Sequence, residues 1–318
     1  MTDISLTFWG AAGQVTGSCH HLEWRGHRVA LDAGLFQGRR EESHRLNAET
    51  PFDPRQLDAV ILSHAHIDHS GRLPLLVARQ FDKPIYATPA TRDLCAIMLP
   101  DSAHIQESDF RYLQKKGRAG PGSEPLYTMA DAYHVQELME AHPYGRPFKV
   151  ADDLTVTFRD AGHILGAANM EIVIDGAGGA PHRLVFSGDI GRWGQPIIRD
   201  PDGPKGPIDT LIIESTYSLK QHDTTEDAMA RLADVVSRVA AISTVTPTFA
   251  SEVVEMPDLA TDSAAANAVQ THRYRASLPV KAYEEAGIGP QDVSLAEVYD
   301  LSSALELDWC EDLQLCPR

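Results

Sequence analysis

The segment His64-Ala65-His66-Ile67-Asp68-His69 places three imidazoles and one carboxylate within six residues. It directly follows an apolar run at 58–63 that is typical of a buried strand, so the end of one strand would carry all four side chains. Neutral imidazole and carboxylate are the ligands that zinc takes in proteins. An isolated histidine is more often a solvated turn residue, but this dense cluster favours a metal site. The segment therefore predicts a fold that holds a metal ion at a strand end.

Three later segments each place one further candidate side chain after an apolar run, namely His163, Asp189 and Glu214. A glycine precedes His163 and Asp189, which lets the backbone turn sharply so that a short side chain reaches a metal. Taken singly, these two residues would more often be structural turn residues. Their occurrence together with the 64–69 cluster favours ligands instead, and the two carboxylate oxygens of Asp189 are able to serve two ions.

Short apolar strands alternate with helices over residues 1 to about 218, which is typical of an α/β fold. The predicted strands are 4–8, 18–24, 28–32, 58–63, 84–87, 154–159, 169–174, 183–188 and 210–214. The predicted helices are 71–80, 90–115, 130–140 and 225–240. Each candidate ligand then lies at a strand end or in the loop that follows it.

The composition narrows the class of protein. With 318 residues and 43% hydrophobic content, the chain is long enough for one large or two moderate domains. No apolar run approaches the ~20 residues that cross a membrane, and the four cysteines lack CxxC spacing, so we expect a cytoplasmic protein with reduced thiols. The net charge of -17 argues against a basic surface for nucleic acid over the whole molecule. A local basic groove or a metal-centred site that receives phosphate remains open.

The ordered motifs resemble those of the metallo-β-lactamase superfamily, and specifically its β-CASP branch of RNA-processing nucleases, over residues 4–241. The HxHxDH pattern alone indicates only the superfamily, whereas the whole set indicates the branch. The motifs are Phe8 to Ser18 (FWGAAGQVTGS), Leu31-Asp32-Ala33-Gly34 with Phe36-Gln37-Gly38, His64 to Pro74, and the three segments that carry His163, Asp189 and Glu214.

The resemblance implies an αββα sandwich with two zinc ions at its edge. The implied ligands are His64, His66 and His163 for the first zinc, Asp68 and His69 for the second zinc, and Asp189 for both. Asp32 resembles an aspartate that supports the ligand loop through hydrogen bonds. Glu214 resembles a carboxylate that orients a later catalytic histidine.

The implied activity is cleavage of RNA phosphodiester bonds by a metal-activated hydroxide, with Asp68, Asp189 and Glu214 as catalytic carboxylates and RNA as the partner. The family pattern continues past residue 241 into a cap domain and further histidines, whereas His272 is the one histidine of this chain after that point. We therefore expect an incomplete sandwich and an incomplete second zinc site. Two alternative functions stay open: a small-molecule ester or thioester hydrolase of the same superfamily, and a catalytically inactive chimeric zinc-binding protein. Whether the chain assembles as a homo-oligomer also stays open.

Residues 242–318 resemble the thiolase superfamily, in its lipid-transfer and acyl-CoA branch. The resemblance is carried by 280–293 and 296–300. We therefore predict two domains, 1–241 and 242–318, the second being a small α/β fragment with a helix at 263–286, a strand at 294–299 and a helix at 301–313. About 77 residues are too few to build a thiolase active site.

Overall fold

The computed structural model describes residues 4–38, 40–50, 52–120, 123–176, 179–195, 197–219, 224–237, 283, 287 and 289–292. The chain divides into two compact units, Met1–Ser218 and Leu219–Arg318. In the second unit the described elements are a helix at Thr225–Ser237 and a short 3-10 turn at Pro290–Asp292. The strand predicted at 294–299 and the helix at 301–313 lie outside the described residues, as does almost all of the helix predicted at 263–286.

The first sheet of the Met1–Ser218 unit has six strands in sequential order. They are β1 (Ile4–Phe8), β2 (His20–Trp24), β3 (His27–Leu31), β4 (Ala59–Ile61), β5 (Ile85–Ala87) and β6 (Met139–Ala141). The first three strands pair antiparallel, and β3 to β6 pair parallel. Arg25 and Gly26 join β2 to β3 with φ of 45° and 87°, the positive values that match the twist of a two-residue hairpin turn.

The second sheet has five strands in the order β11-β10-β9-β8-β7. They are β7 (Phe148–Ala151), β8 (Leu154–Asp160), β9 (Ala168–Ile174), β10 (His182–Phe186) and β11 (Thr210–Ile212). The pairs from β7 to β10 are antiparallel, and β10 pairs parallel with β11. One face of β8 alternates as Leu154, Val156 and Phe158, all fully buried, because successive side chains of a strand point to opposite faces.

Apolar side chains of both sheets form one shared cluster, in which Trp24 and Ile61 of the first sheet join Phe158 and Met170 of the second. A separate cluster covers the parallel part of the first sheet with helices. The helices are α1 (Arg40–Ala48), α2 (Ile67–Ser70), α3 (Leu73–Ala78), α4 (Pro89–Lys115) and α5 (Met129–Leu138), followed by α6, the helix at Thr225–Ser237. None of the helices in the described part of the chain has the length and apolar character of a membrane span.

Several predicted elements differ from the observed ones. The predicted helix 71–80 corresponds to the shorter α3, which begins at Leu73 and ends at Ala78, and the short helix α2 before it was not predicted. The predicted helix 130–140 ends at Leu138, and Met139 begins β6 instead. Helix α1 and strand β7 were not predicted from the sequence. Helix α1 has the sequence REESHRLNA, so it offers little apolar periodicity to detect.

Glu171 of β9 links its two neighbouring strands through an ion triad. Its carboxylate accepts a 2.8 Å hydrogen bond from Nε of Arg159 and another from Nε of Arg183. The Glu171 side chain is only 13% exposed. Burial acts to raise the pKa of Glu171, but the two guanidinium groups outweigh it and hold that pKa below its ordinary value.

We expect Glu171→Gln to lower the free energy of unfolding by about 1–3 kcal/mol, because Arg159 and Arg183 then face each other without a shared charge. Since the pKa of Glu171 is depressed in the folded state, this stabilisation is complete above its ordinary pKa of 4.5 and is lost as the pH falls through the folded-state value. Urea denaturation at neutral and acidic pH measures both effects. Glu49→Gln is the control, since its ion pair with Arg45 is exposed and should contribute ~0.5 kcal/mol or less. Equal losses in the two variants would contradict the expectation.

Candidate metal centre

The predicted site residues lie just past the carboxyl ends of five strands. Asp32 follows β3, His64 follows β4, and His163 follows β8, while Asp189 and Glu214 follow β10 and β11. Each lies one to three residues beyond its strand, where a rigid sheet fixes the start of the loop. The two sheets therefore bring together side chains that are far apart along the chain.

Four side chains form a compact set of possible ligands. The donor atoms of His64, His66, His163 and Asp189 all lie within 4.8 Å of one another. Nδ1 of His66 is 3.0 Å from Nε2 of His64 and 3.1 Å from Nε2 of His163. Three imidazoles and one carboxylate at this spacing match the ligand number and type of a tetrahedral zinc site. The residues therefore fit a divalent cation.

Asp189 faces two groups of residues with its two oxygens. Oδ2 lies 3.5 Å from Nε2 of His163 and 3.8 Å from Nε2 of His64, whereas Oδ1 lies 3.2 Å from Nε2 of His69. Asp68 stands on the His69 side, with Oδ2 at 3.8 Å from the same Nε2. The carboxylate of Asp189 thus lies between His64 and His163 on one side and His69 on the other.

The pKa values of the histidines differ between the two sides of Asp189. Burial lowers the pKa of His64 well below its ordinary value, and burial together with the neighbouring His163 lowers that of His66. Both imidazoles are therefore neutral, as a metal ligand must be. Burial acts in the same direction on His69, but the Asp32 and Asp189 carboxylates outweigh it and raise the pKa of His69 to about 10 in the absence of a metal. A metal ion that binds Nε2 of His69 would therefore have to displace a proton. Burial acts to raise the pKa of Asp189, yet hydrogen bonding and charge attraction to His69 lower it to about 2.

Asp32 supports the 64–69 segment from beneath, fully buried. Its Oδ2 lies 2.7 Å from Nδ1 of His69 and accepts hydrogen bonds from the hydroxyls of Ser63 and Ser18 at 2.9 and 3.0 Å. Its Oδ1 accepts the backbone N–H of Ser63 at 2.7 Å. A carboxylate on Nδ1 leaves Nε2 of His69 directed at Asp189 and fixes the orientation of the ring.

We expect Asp32→Asn to weaken metal binding by ~10–100-fold, because the amide removes the charge that orients His69. Asparagine tolerates the left-handed backbone of this position, where φ is 62°, so the backbone should stay in place. Competition with a chromophoric chelator measures the affinity. Asp58→Asn provides the same substitution at an exposed carboxylate that accepts the backbone N–H of Arg28. Equal affinity of the two variants would show that Asp32 does not support the centre.

Two glycines let the ligand loops approach neighbouring backbone. A Cβ on Gly34 would lie 1.6 Å from the carbonyl oxygen of Asp68, and a Cβ on Gly191 would lie 1.5 Å from that of Gly162, next to His163. No side chain fits at either position. The loops of Asp68 and His163 are therefore held against the loops that follow β3 and β10.

Glu214 contacts the loop that carries Asp189. Its Oε1 accepts the backbone N–H of Ile190 at 2.7 Å, and its own N–H donates to the hydroxyl of Ser187 at 3.1 Å. The role predicted from the resemblance, orientation of a later histidine, stays a prediction. A cavity of about 520 Å³ opens between Glu214, Asp189, His69 and the 11–15 loop.

His20 was not identified from the sequence, although it lines the same cavity. Its ring lies edge-on to Phe8 and Phe186, at 5.0 and 5.2 Å between ring centroids. The sequence also does not identify Ser18 and Ser63 as supports of Asp32, although Ser18 ends the 8–18 motif and Ser63 directly precedes His64. A second cavity, of about 450 Å³, lies elsewhere, beside α1 and α4, and contains none of the predicted site residues.

Two parts of the chain match known protein families. Residues 27–248 match the family described as "Beta-lactamase superfamily domain". Residues 248–318 match the family described as "Thiolase C-terminal domain-like". Among solved structures, a HARLDQ-motif mutant of a metallo-β-lactamase from Cronobacter sakazakii shows 17% identity and a TM-score of 0.40, over 72% of this chain and 81% of that chain.

Two curated relatives align with most of the first part of the chain. It is 34% identical over 247 residues to ribonuclease TTHA0252 of Thermus thermophilus, covering 77% of this chain and 51% of that protein. It is 34% identical over 225 residues to transcription termination factor FttA of Cenarchaeum symbiosum, covering 69% and 32%. The chain thus spans about half the length of the first relative and about a third of the second.

Proposed function

This chain belongs to the beta-lactamase superfamily and has the metallo-β-lactamase fold, and from that membership we propose that its metal centre hydrolyses RNA phosphodiester bonds. The match confirms the fold class predicted from the motifs, and the match at 248–318 confirms the thiolase-like character of the tail. The names of the two relatives, a ribonuclease and a transcription termination factor, support RNA as the substrate. They also support the β-CASP branch as the place of this chain within the superfamily.

The observation that carries the proposal is the placement of Asp189. One of its oxygens faces His64 and His163, and the other faces His69. A single-ion hydrolase has no need of a carboxylate with both oxygens directed at separate histidine groups, whereas two-ion sites for phosphodiester chemistry use such a bridge. The cavity of about 520 Å³ beside Asp189 has the size of a small-ligand pocket, large enough for a nucleotide.

In this proposal His64, His66, His163 and Asp189 hold the first zinc, and Asp68, His69 and Asp189 hold the second. When bound, such ions supply Lewis acidity for the attack of water on phosphorus. The protein keeps His64 and His66 neutral by burial, so their nitrogens are available as donors. The proposed catalytic carboxylates are Asp68, Asp189 and Glu214. Glu214 acts by holding the backbone of Ile190 beside Asp189.

The two proposed sites differ in the number of ligands that the chain supplies. The first has four donors and the second has three among the described residues. We therefore propose one tightly bound zinc and one weakly bound zinc per chain. Elemental analysis after dialysis against buffer tests this, and two tightly held ions would contradict it.

The decisive experiment is incubation of the purified full chain with 5′-labelled single-stranded RNA and added zinc, with and without a chelator. Cleavage that the chelator abolishes and that zinc restores supports the proposal. Bound zinc without cleavage would favour the zinc-binding protein without turnover. Hydrolysis of a thioester or lactam but not of RNA would favour the small-molecule hydrolase.

We also propose that the domains are 1–241 and 242–318, so the thiolase-like segment contributes nothing to the metal centre. All the proposed ligands lie within the Met1–Ser218 unit. A chain shortened to residues 1–241 should therefore bind the first zinc with unchanged affinity, measured by competition with a chelator. A loss of more than about tenfold, which corresponds to about 1.4 kcal/mol, would place part of the centre's support in the tail.

A further inference from the structure

Trp193 lies in the loop that follows Asp189, and its side chain is 71% exposed. Trp193 is four residues beyond Asp189, so its Cα lies within about 15 Å of the Asp189 Cα even in a fully extended chain. Arg192, directly before it, is also exposed. The indole of Trp193 and the guanidinium of Arg192 are thus both exposed to solvent in the loop that follows Asp189.

The loop is anchored at both ends and in its middle. The Gly191 N–H donates to the carbonyl of Ala161 at 2.9 Å, and the Asp202 N–H donates to the carbonyl of Asp160 at 2.8 Å. Between these points, the N–H of Gly194 donates to Oδ1 of Asp200 at 2.7 Å. The segment 160–161 leads directly to His163, so the backbone that carries Trp193 is fixed relative to two proposed ligands.

The loop at 190–202 carries two arginines and two aspartates, so its formal charge is zero, whereas the net charge of the whole chain is -17. Such a surface repels the phosphates of RNA, which therefore need a local cation to approach. Arg192 and Arg199 are exposed in the loop. Of its two carboxylates, Asp202 pairs with Arg159 at 3.5 Å, whereas Asp200 accepts the Gly194 N–H, a neutral donor that does not offset its charge.

We propose that Arg192 and Trp193 form a docking element for single-stranded RNA, in which the indole stacks on a base near the phosphodiester at the metal centre. Arg192 contacts an adjacent phosphate. The inference rests on RNA being the substrate in the proposed function, and it adds the residues that bind the strand. Stacking on an aromatic ring accepts every base, so the element would bind RNA with little sequence preference.

The test measures binding of the full chain to a fluorescein-labelled 12-nucleotide single-stranded RNA by anisotropy. Trp193→Ala should weaken binding about 5- to 100-fold, whereas Trp193→Phe, which keeps a stacking ring, should retain most of the affinity. Ile197→Ala is the matched control, because Ile197 lies in the same loop, is 97% exposed and has no aromatic face. Arg192→Ala should reduce the slope of log affinity against log salt by about 0.7.

The metal centre is followed separately with methyl p-nitrophenyl phosphate, a phosphodiester without a base. Trp193→Ala should leave its hydrolysis unchanged. Equal RNA affinity of wild type, Trp193→Ala and Ile197→Ala overturns the docking element, as does an absence of RNA binding by the wild-type chain at low salt. RNA binding that depends on Trp193, without hydrolysis of RNA or of the small diester, would instead overturn the proposed hydrolysis and leave the docking element standing.

Discussion

Gly191→Ala is expected to lower the free energy of unfolding of the first unit by about 3 kcal/mol or more. The added Cβ would lie 1.5 Å from the carbonyl oxygen of Gly162 and 2.7 Å from the backbone nitrogen of His163. Both neighbours are backbone atoms, so no side chain is able to rotate out of the way. For a domain of this size the loss corresponds to a decrease in Tm of about 6–12 °C. Calorimetry of the full chain measures it.

The clash could instead displace the loop that carries His163, and a metal titration detects this displacement as a loss of affinity. If the folded protein relieves the clash by a shift of the 162–163 loop, the Tm decreases less. His163 then leaves its place 3.5 Å from Asp189. Metal affinity then falls by at least tenfold, by analogy with the loss of a supporting residue. Gly203→Ala is the control, because a Cβ at Gly203 meets no atom within 4 Å. A Gly191→Ala chain that matches Gly203→Ala in both Tm and metal affinity would contradict the close packing of the two loops.

The sequence predicts most of the strands because their apolar runs are local signals. Phe158 and its alternating neighbours in β8 are an example, since the period of two is visible in the residues themselves. Strand β6 is different: Met139–Ala141 continues a helical stretch, and it becomes a strand only because β5 offers parallel partners. Helix α1 is equally invisible because its residues are mainly polar. Pairing and tertiary contacts, rather than local preference, decide these elements.

Some residues of the candidate site can likewise be predicted from the sequence, and others cannot. The proposed ligands are visible in the sequence because four of them lie within six residues and the others follow apolar runs. The supports of Asp32 are not visible, since the contacts of Ser18 and Ser63 with it span 14 and 31 positions. Nor does any pattern reveal that Gly34 and Gly191 each contact a ligand loop from another strand. These features depend on which loops the two sheets bring together.

Asp189→Asn is expected to produce the largest functional loss of any single substitution in the centre. The carboxylate lies near the Nε2 atoms of both His64 and His69, at 3.8 and 3.2 Å. The amide has nearly the same shape but presents one oxygen and one NH2 group, so it no longer offers an anionic oxygen to each side. A supporting residue costs 10–100-fold in affinity or activity, so loss of a shared ligand should cost at least ~100-fold in RNA cleavage.

The control for this variant is Asp175→Asn, the same change at an exposed residue just after β9. The Asp189→Asn chain should lose the weakly bound zinc before the tightly bound zinc, because the second site has fewer ligands to compensate for the lost oxygen. Without bound metal, Asp189→Asn should lower the Tm at neutral pH, because the pKa of Asp189, lowered to about 2 by His69, means that the carboxylate charge stabilises the folded state. Cleavage within threefold of the Asp175→Asn chain would show that the two oxygens of Asp189 do not join two ions, and the hydrolysis would then have to proceed from the His64, His66 and His163 side alone.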